Sequence, residues 1–206
     1  MPLNRYYGDL TREQFITARN KTLLNANNLI IESKLLFENG MIARAYFLAS
    51  IACEEIGKYL LISSAAIDYV RGTLNWKNFW KRIRNHKAKN QTIELFENIF
   101  VSNDENFTNP ELIKALINDM DELKMANLYS DMFQYDFYEP NEIADKSMTA
   151  NLIALAENRL KFIEIFPISE KYLLTITKEQ IEEADREMKQ YIKNKYGHEL
   201  NDYSKL

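Results

Sequence analysis

The residues best suited to chemistry lie between positions 71 and 89, where one histidine stands among seven cations and no carboxylate. Cations around His86 favour its neutral form, which suits a general base near neutral pH. Lysine and arginine can also stabilise the charge of a phosphorane-like transition state. Metal-free cleavage of RNA requires this set, a base for the 2′-hydroxyl and cations for the phosphate. The seven cations are Arg71, Lys77, Lys81, Arg82, Arg84, Lys87 and Lys89.

Three aromatic residues, Trp76, Phe79 and Trp80, are interleaved with these cations. Exposed aromatic side chains can stack on unpaired bases while cations bind the phosphates, so the segment fits an RNA-binding surface. The alternative is a solvated basic helix whose aromatic side chains pack inward. The sequence alone leaves both interpretations open.

Two adjacent carboxylates lie in the otherwise apolar segment 49–61. On a helix, Glu54 lies beside Lys58 at i,i+4 and Glu55 lies beside it at i,i+3. A carboxylate in apolar surroundings is costly unless it is paired, so the two either form a surface pair with the lysine or belong to a site. A di-iron carboxylate site is rejected, because it needs Glu-x-x-His on two helices and the chain contains no such motif.

A third group of polar residues falls in segment 122–140, at the end of a predicted helix and the start of an aromatic loop. Lys124, Tyr129 and Asp131 are its members. The tyrosine and the aspartate could hydrogen-bond a histidine or a bound ligand. The alternative is a loop whose aromatic side chains fill gaps between helices.

Helices must position these residues. Only five glycines and four prolines occur in 206 residues, which disfavours a sandwich, a barrel or a glycine-looped nucleotide fold. We predict one all-α domain over residues 1–206, a bundle of about five to seven helices without strands, with a charged helical segment near its end. The predicted helices cover about 12–39, 41–70, a start at 76, 91–101, 110–129, 142–165 and 177–196.

The charge of the chain is unevenly divided. The net charge of −4 combines +7 over residues 1–93 with −11 over residues 94–206, which suggests polar partners or self-association between unlike faces. One cysteine and two histidines exclude a disulfide framework and a cysteine-based zinc site, so we expect no metal and no cofactor. The second histidine, His198, lies in a polar tail. Without a leader or membrane-spanning run, we expect a cytoplasmic protein with no membrane partner.

Three motifs follow one another within residues 43–140. The first is Ala-Cys-Glu-Glu-Ile-Gly-Lys at 52–58, the second is His-Lys-x-Lys at 86–89, and the third is Leu-Tyr-x-Asp at 128–131, followed by Tyr138 and Pro140. Each motif alone is weak, but the ordered set is specific. It resembles the AbiV family of bacterial abortive-infection proteins, in which leucine stands at the position of Cys53.

The resemblance implies an all-α fold of the HEPN type, a role in phage defence and a homodimer. Many HEPN proteins are metal-independent ribonucleases with an Arg-x(4–6)-His motif, two copies of which face each other across the dimer. Here Arg82 precedes His86 by three intervening residues, one fewer than the pattern. Lys81 has the right spacing, but lysine does not bind phosphate bidentately as arginine does.

Two functions are predicted from this set. The first is a dimeric defence effector, switched on by a phage-encoded activator, that harms host RNA or translation. Its enzymatic form would use His86 as base or acid together with Arg82, Glu55 and Tyr129. The second is a non-catalytic helical dimer that acts by occupying a phage protein or a translation component. The predicted phosphate-binding residues are Arg84, Lys87, Lys89, Lys81 and Lys58, and the supporting residues are Glu54, Asp131 and Lys124.

Overall fold

The chain folds into a helical bundle, seen in a computed structural model that describes residues 4–100, 110–133, 135–165 and 169–196. Within these residues, six helices of 15 or more residues are joined by three shorter ones and a small hairpin. The predicted all-α bundle is confirmed. The elements are α1 Arg12–Glu38, α2 Ile42–Arg71, α3 Trp76–Ile83, α4 His86–Phe100, α5 Pro110–Ala126, β1 Asp131–Phe133, β2 Asp136–Tyr138, α6 Pro140–Ile143, α7 Lys146–Ile165, α8 Glu170–Thr175 and α9 Lys178–Tyr196.

Local sequence signals set several helix ends as predicted. Thr11 and Gln14 form a capping box at the start of α1, and Asn75 Oδ1 accepts the backbone N–H of Asn78 at the start of α3. Both arrangements satisfy N–H groups that lack a partner within the helix. Gly72 ends α2 with a φ of +77°, a conformation that residues with a side chain rarely adopt.

The main core lies where α1, α2, α4 and α7 meet. Small residues on α2 let its neighbours approach closely, and larger apolar side chains from the other three helices fill the space between them. Because α2 packs against α1, α4 and α7, its polar residues are held rigidly. The core includes Ala26, Ile30, Ala45, Ala49, Ala52, Ile56, Ile93, Ile153, Ala156 and Ile163.

The aromatic residues of the basic segment pack inward. Phe79 is buried in a second apolar cluster, and Trp76 and Trp80 lie against that cluster. The ring of Phe15 stacks on Trp76 at 5.9 Å between centroids. Of the two interpretations open at the sequence level, the structure therefore favours inward packing, and these three rings do not form an exposed stacking surface.

Some elements differ from the sequence prediction. The prediction of no strand is wrong for β1 and β2, which pair antiparallel with Met132 opposite Phe137; strands of three residues are too short to show alternation. The predicted helix 142–165 is divided into α6 and α7, because Asp145 Oδ1 accepts the backbone N–H of Met148 and starts a new helix there. The helix predicted from residue 91 begins at His86. The loop 102–109, Pro167 and His198 lie outside the described residues.

Candidate functional site

The buried carboxylate of Glu54 is the centre of the candidate site. Only 1% of this residue is exposed, and three side chains from α4 and α5 surround it. Lys124 Nζ lies 2.8 Å from Oε1, while Lys89 Nζ at 3.0 Å and His86 Nδ1 at 2.5 Å approach Oε2. The carboxylate therefore draws α4 and α5 onto α2 through charged hydrogen bonds.

His86 is the first residue of α4. Asn85 precedes it and caps the helix, since its Oδ1 accepts the backbone N–H of Ala88 at 3.0 Å. An ionised carboxylate only accepts hydrogen bonds, so the contact with Glu54 assigns the proton to Nδ1 of the imidazole. More than half of the His86 side chain is exposed. In the neutral imidazole, the opposite ring nitrogen, Nε2, then carries the lone pair.

Gly57 allows α4 to approach α2 closely enough for these contacts. It lies one turn after Glu54, and a Cβ placed on it would be 2.0 Å from the backbone carbonyl oxygen of Lys89. Real Cβ atoms essentially never come this close to another atom. The glycine of the first motif is therefore required by the distance between the two helices.

Lys124 connects Glu54 to a second carboxylate. Its Nζ also lies 2.6 Å from Oδ1 of Asp121, one turn earlier on α5. Burial lowers the pKa of Lys124, but the hydrogen bonds to Asp121 and Glu54 outweigh burial and raise it. The lysine is therefore charged at neutral pH.

The pKa of Glu54 results from two opposing effects. Burial raises it, but the hydrogen bond from Lys124, the charge of Lys89 and the hydrogen bond from His86 together lower it below the ordinary value. The carboxylate is thus ionised at neutral pH. A fixed anion on Nδ1–H orients the imidazole and stabilises its protonated form, which is how a carboxylate supports a histidine that accepts a proton at Nε2.

The family model of AbiV, a HEPN family, matches residues 14–161. This range covers more than half of the chain and includes every residue of the cluster. The chain belongs to the AbiV family. No significant match was found among curated proteins or among solved structures. Membership of the AbiV family, and with it of the HEPN superfamily, indicates a role in abortive infection, a defence against phage.

The two carboxylates of the first AbiV motif have different surroundings. Glu55 is itself only 9% exposed and pairs at 3.1 Å with Lys58, whose side chain is 30% exposed, whereas Glu54 belongs to the cluster around His86. Pairing with the lysine therefore applies to Glu55, although not at an open surface, and the site interpretation applies to Glu54. Neither Glu55 nor Lys58 takes part in the hydrogen bonds around His86.

The predicted phosphate-binding cations are divided between the interior and the surface. Lys89 is buried against Glu54. Arg84 donates to the backbone oxygen of Tyr6 at 2.8 Å and lies over the ring of Tyr7 at 3.9 Å, so it holds the N-terminal segment. Lys81 and Lys87 are exposed, and so is Arg82, which was predicted as a catalytic residue.

Tyr129 and Asp131 of the third AbiV motif lie beside the cluster. With Asp121 they line a cavity of about 340 Å³ between α5 and the hairpin. Tyr129 is exposed, and Asp131 accepts the backbone N–H of Met132 at 2.8 Å. The first and second segments thus meet directly at Glu54, and the third meets them there through Lys124, whereas Tyr129 and Asp131 lie at the cavity beside Asp121.

Several residues of the site were not predicted from the sequence. Asp121 lies three residues before Lys124, a spacing that suggests a helical pair. Arg159 of α7 is buried and pairs with Glu94 and Glu97 of α4, and so fixes the helix that carries His86. Contacts between residues more than 60 positions apart leave no such local pattern.

Within the described residues, no group of three or more histidine, cysteine, aspartate or glutamate side chains could hold a metal ion. None of the helices there is long and apolar enough to cross a membrane.

Proposed function

We propose that this AbiV-family protein is an antiviral effector that cleaves RNA, with His86 as the general base. The observation that carries the proposal is the 2.5 Å contact between Nδ1 of a half-exposed histidine and a buried, ionised Glu54. It leaves Nε2 able to accept a proton at the surface. Lys89 and Lys124 support the proposal because they keep the carboxylate charged in the interior.

The proposed reaction is an intramolecular transesterification of the RNA strand. Nε2 of His86 takes the proton of a 2′-hydroxyl, and the 2′-oxygen attacks the neighbouring phosphorus. The bond from phosphorus to the 5′-oxygen breaks, and that oxygen takes a proton from water. The products are a 2′,3′-cyclic phosphate and a 5′-hydroxyl. Glu54 stabilises the imidazolium until it returns its proton to solvent.

Exposed cations near the site would hold the phosphate. Lys87 follows His86 directly and its Nζ bonds to Asn118 Oδ1 at 2.8 Å, while Arg82 lies in the last turn of α3. Both side chains are exposed, and a cation beside the phosphate stabilises the charge that develops on it. Lys81 adds to the same basic surface. Glu55 acts at one edge of this basic surface through its pair with Lys58. Tyr129 acts at another edge through the cavity that it lines with Asp121.

A second candidate function is occupancy without catalysis, and the hairpin favours it. Met132 and Phe137 are paired across the strands and both are about two-thirds exposed, and Tyr135 beside them is fully exposed. An exposed apolar patch of this kind indicates a protein partner. Asp131 and Asp136 add negative charge that would repel RNA. A phage-encoded activator or a translation component is the partner that this candidate requires.

One experiment separates the two functions. Purified protein is incubated with total RNA in the presence of EDTA, with and without lysate from phage-infected cells. Fragments that end in a 2′,3′-cyclic phosphate support the ribonuclease. Intact RNA under both conditions, together with a block of translation in a cell-free extract, supports occupancy.

A further inference from the structure

A small cavity lies between α2 and α3. Its volume is about 150 Å³, whereas sites for drug-sized ligands measure about 300–1,000 Å³, so it has room for one small group. Three buried apolar residues form one wall, and they are Leu61, Ala65 and Phe79. The polar residues around it include Asp68, Asn75, Asn78 and Arg82. An apolar wall with a few converging polar groups is typical of a ligand site.

Asp68 has one carboxylate oxygen that can accept hydrogen bonds from a ligand. Arg71 Nη1 donates to Oδ1 at 3.1 Å, and within the described residues Oδ2 accepts no hydrogen bond. Burial raises the pKa of Asp68, and the charge and the hydrogen bond of Arg71 offset this effect only in part. Further N–H donors would stabilise such a carboxylate. A ligand that brings N–H groups therefore fits this side of the cavity.

Arg82 lines the same cavity and adds hydrogen-bond donors to the acceptor of Asp68. Its side chain is exposed, and its charge favours the ionised form of Asp68. Guanine matches this pair, because its Watson–Crick edge presents two adjacent N–H donors, N1 and N2, next to the acceptor O6. A carboxylate accepts from the donors, and an arginine donates to O6. Adenine has an amino group in place of O6, and each pyrimidine has only one donor position on this edge.

The cavity and the cluster around Glu54 lie along one face of α2. Residues at steps of four, three, four and three share one face of a helix. Five residues of α2 have this spacing, and they are Glu54, Lys58, Leu61, Ala65 and Asp68. The cavity begins about 10 Å from Glu54 along the axis, since each helical residue adds about 1.5 Å. On the other side, α3 leads directly to His86, because the backbone N–H of Asn85 donates to the carbonyl oxygen of Arg82 at 3.0 Å. One strand of RNA can therefore reach the cavity and His86 together.

We propose that this cavity binds an unpaired guanine of the RNA and so selects where the strand is cleaved. The inference rests on the proposed ribonuclease, whose substrate it narrows. Asp68 accepts the N1–H and N2–H groups, Arg82 donates to O6, and the base packs on the apolar wall. Lys58 lies between the cavity and Glu54 on the same face of α2, where a cation would bind the phosphate that joins the base to the cleavage point. Single-stranded RNA is recognised in this way, through bases turned out of the strand and bonded at their Watson–Crick edges.

Binding of short 2′-O-methyl oligonucleotides tests the cavity without cleavage, because they lack the 2′-hydroxyl that starts the reaction. The wild-type chain should bind a uridine strand with one central guanosine at least about tenfold more tightly than an all-uridine strand, measured by fluorescence anisotropy. Inosine in place of guanosine lacks the N2 amino group and should lose severalfold in affinity. In Asp68→Asn the guanosine and inosine strands should bind alike, because an amide accepts at one oxygen only.

The matched control is Asp185→Asn. Asp185 is the other carboxylate that Arg71 bonds, at 2.6 Å, and it is not among the residues that line the cavity. This variant disturbs Arg71 as Asp68→Asn does, but it should keep the preference for guanosine. Far-UV circular dichroism checks that both variants are folded.

Equal binding of the guanosine and all-uridine strands by the wild-type chain would overturn the proposal. So would a guanosine preference that survives Asp68→Asn, or competition by free guanosine monophosphate as strong as by the guanosine strand, which would indicate a nucleotide site. A preference that is lost in Asp68→Asn and kept in Asp185→Asn supports it. The cleavage assay on total RNA reports on the ribonuclease separately. Cleavage without a base preference would remove the guanine site and leave the ribonuclease, and a preference in binding without cleavage would do the reverse.

Discussion

His86 Nδ1 lies 2.5 Å from Oε2 of Glu54, although the two residues are 32 positions apart and belong to different helices. The contact joins a side chain at the surface to one that is 1% exposed. It places the carboxylate of the first AbiV motif directly beside the histidine of the second. A buried anion thus orients the imidazole of the candidate general base.

Gly57→Ala should destabilise the protein, because the added methyl group would meet the carbonyl oxygen of Lys89. In an open helix the same change would stabilise by about 0.5–1 kcal/mol. Here we expect a loss of about 1–3 kcal/mol from overpacking, measured by urea unfolding. Ser64→Ala, at an exposed position of α2, is the control. A Gly57→Ala variant more stable than wild type would show that α2 and α4 do not approach each other this closely.

Lys124→Met should destabilise more strongly than loss of a surface lysine. Breaking a buried ion pair costs about 3–5 kcal/mol. We expect about 2–3 kcal/mol, because Lys89 and His86 still pair with Glu54. Lys178→Met breaks an exposed i,i+4 pair with Glu182 and should cost about 0.2–0.5 kcal/mol. Equal effects of the two substitutions on the free energy of unfolding would contradict the buried cluster.

Acid should remove the contribution of Glu54 to stability. Its pKa in the folded protein is lowered from the ordinary 4.5, so the unfolded chain binds the proton more readily. The stabilisation is present above the unfolded pKa and is lost as the pH falls through the folded pKa. The difference in unfolding free energy between wild type and Glu54→Gln should therefore narrow from about pH 7 to about pH 3. A constant difference over this range would argue against an ionised Glu54.

Removing an exposed cation should change how RNA binding depends on salt. If Lys87 contacts a phosphate, Lys87→Ala should weaken binding of single-stranded RNA. The slope of the logarithm of the binding constant against the logarithm of the salt concentration should become shallower by about one. The matched control is Lys161→Ala, which removes an exposed cation from α7. Fluorescence anisotropy at several salt concentrations measures both slopes. Equal slopes for wild type and Lys87→Ala would remove Lys87 from the binding surface.

The fold was largely predictable, because its signals are local. The capping box at Thr11, the cap at Asn75 and the positive φ of Gly72 mark helix ends within a few residues of sequence. The hairpin was missed because a strand of three residues is too short for apolar and polar side chains to show a measurable alternation. The start of α4 was missed because the cap at Asn85 is surrounded by cations, which obscured the helical pattern.

The site was predicted only in part. The ordered motifs singled out Glu54 and His86, and segment 122–140 added Lys124 as a supporting residue. The structure brings these three side chains together. The burial of Lys89 was not predictable, because helical spacing shows which residues share a face but not which face is covered. Arg84 was expected to bind phosphate, and the structure places it against Tyr6 and Tyr7.

The most direct test of the account is cleavage of RNA with EDTA by wild type, His86→Ala and Glu54→Gln under identical activation. Loss of the general base should lower the rate about 100- to 10,000-fold. Glu54→Gln should lower it at least about tenfold, because the amide stabilises the imidazolium less. His198→Ala, which removes the other histidine of the chain, should cleave at the wild-type rate. Cleavage by His86→Ala at the wild-type rate would contradict the account.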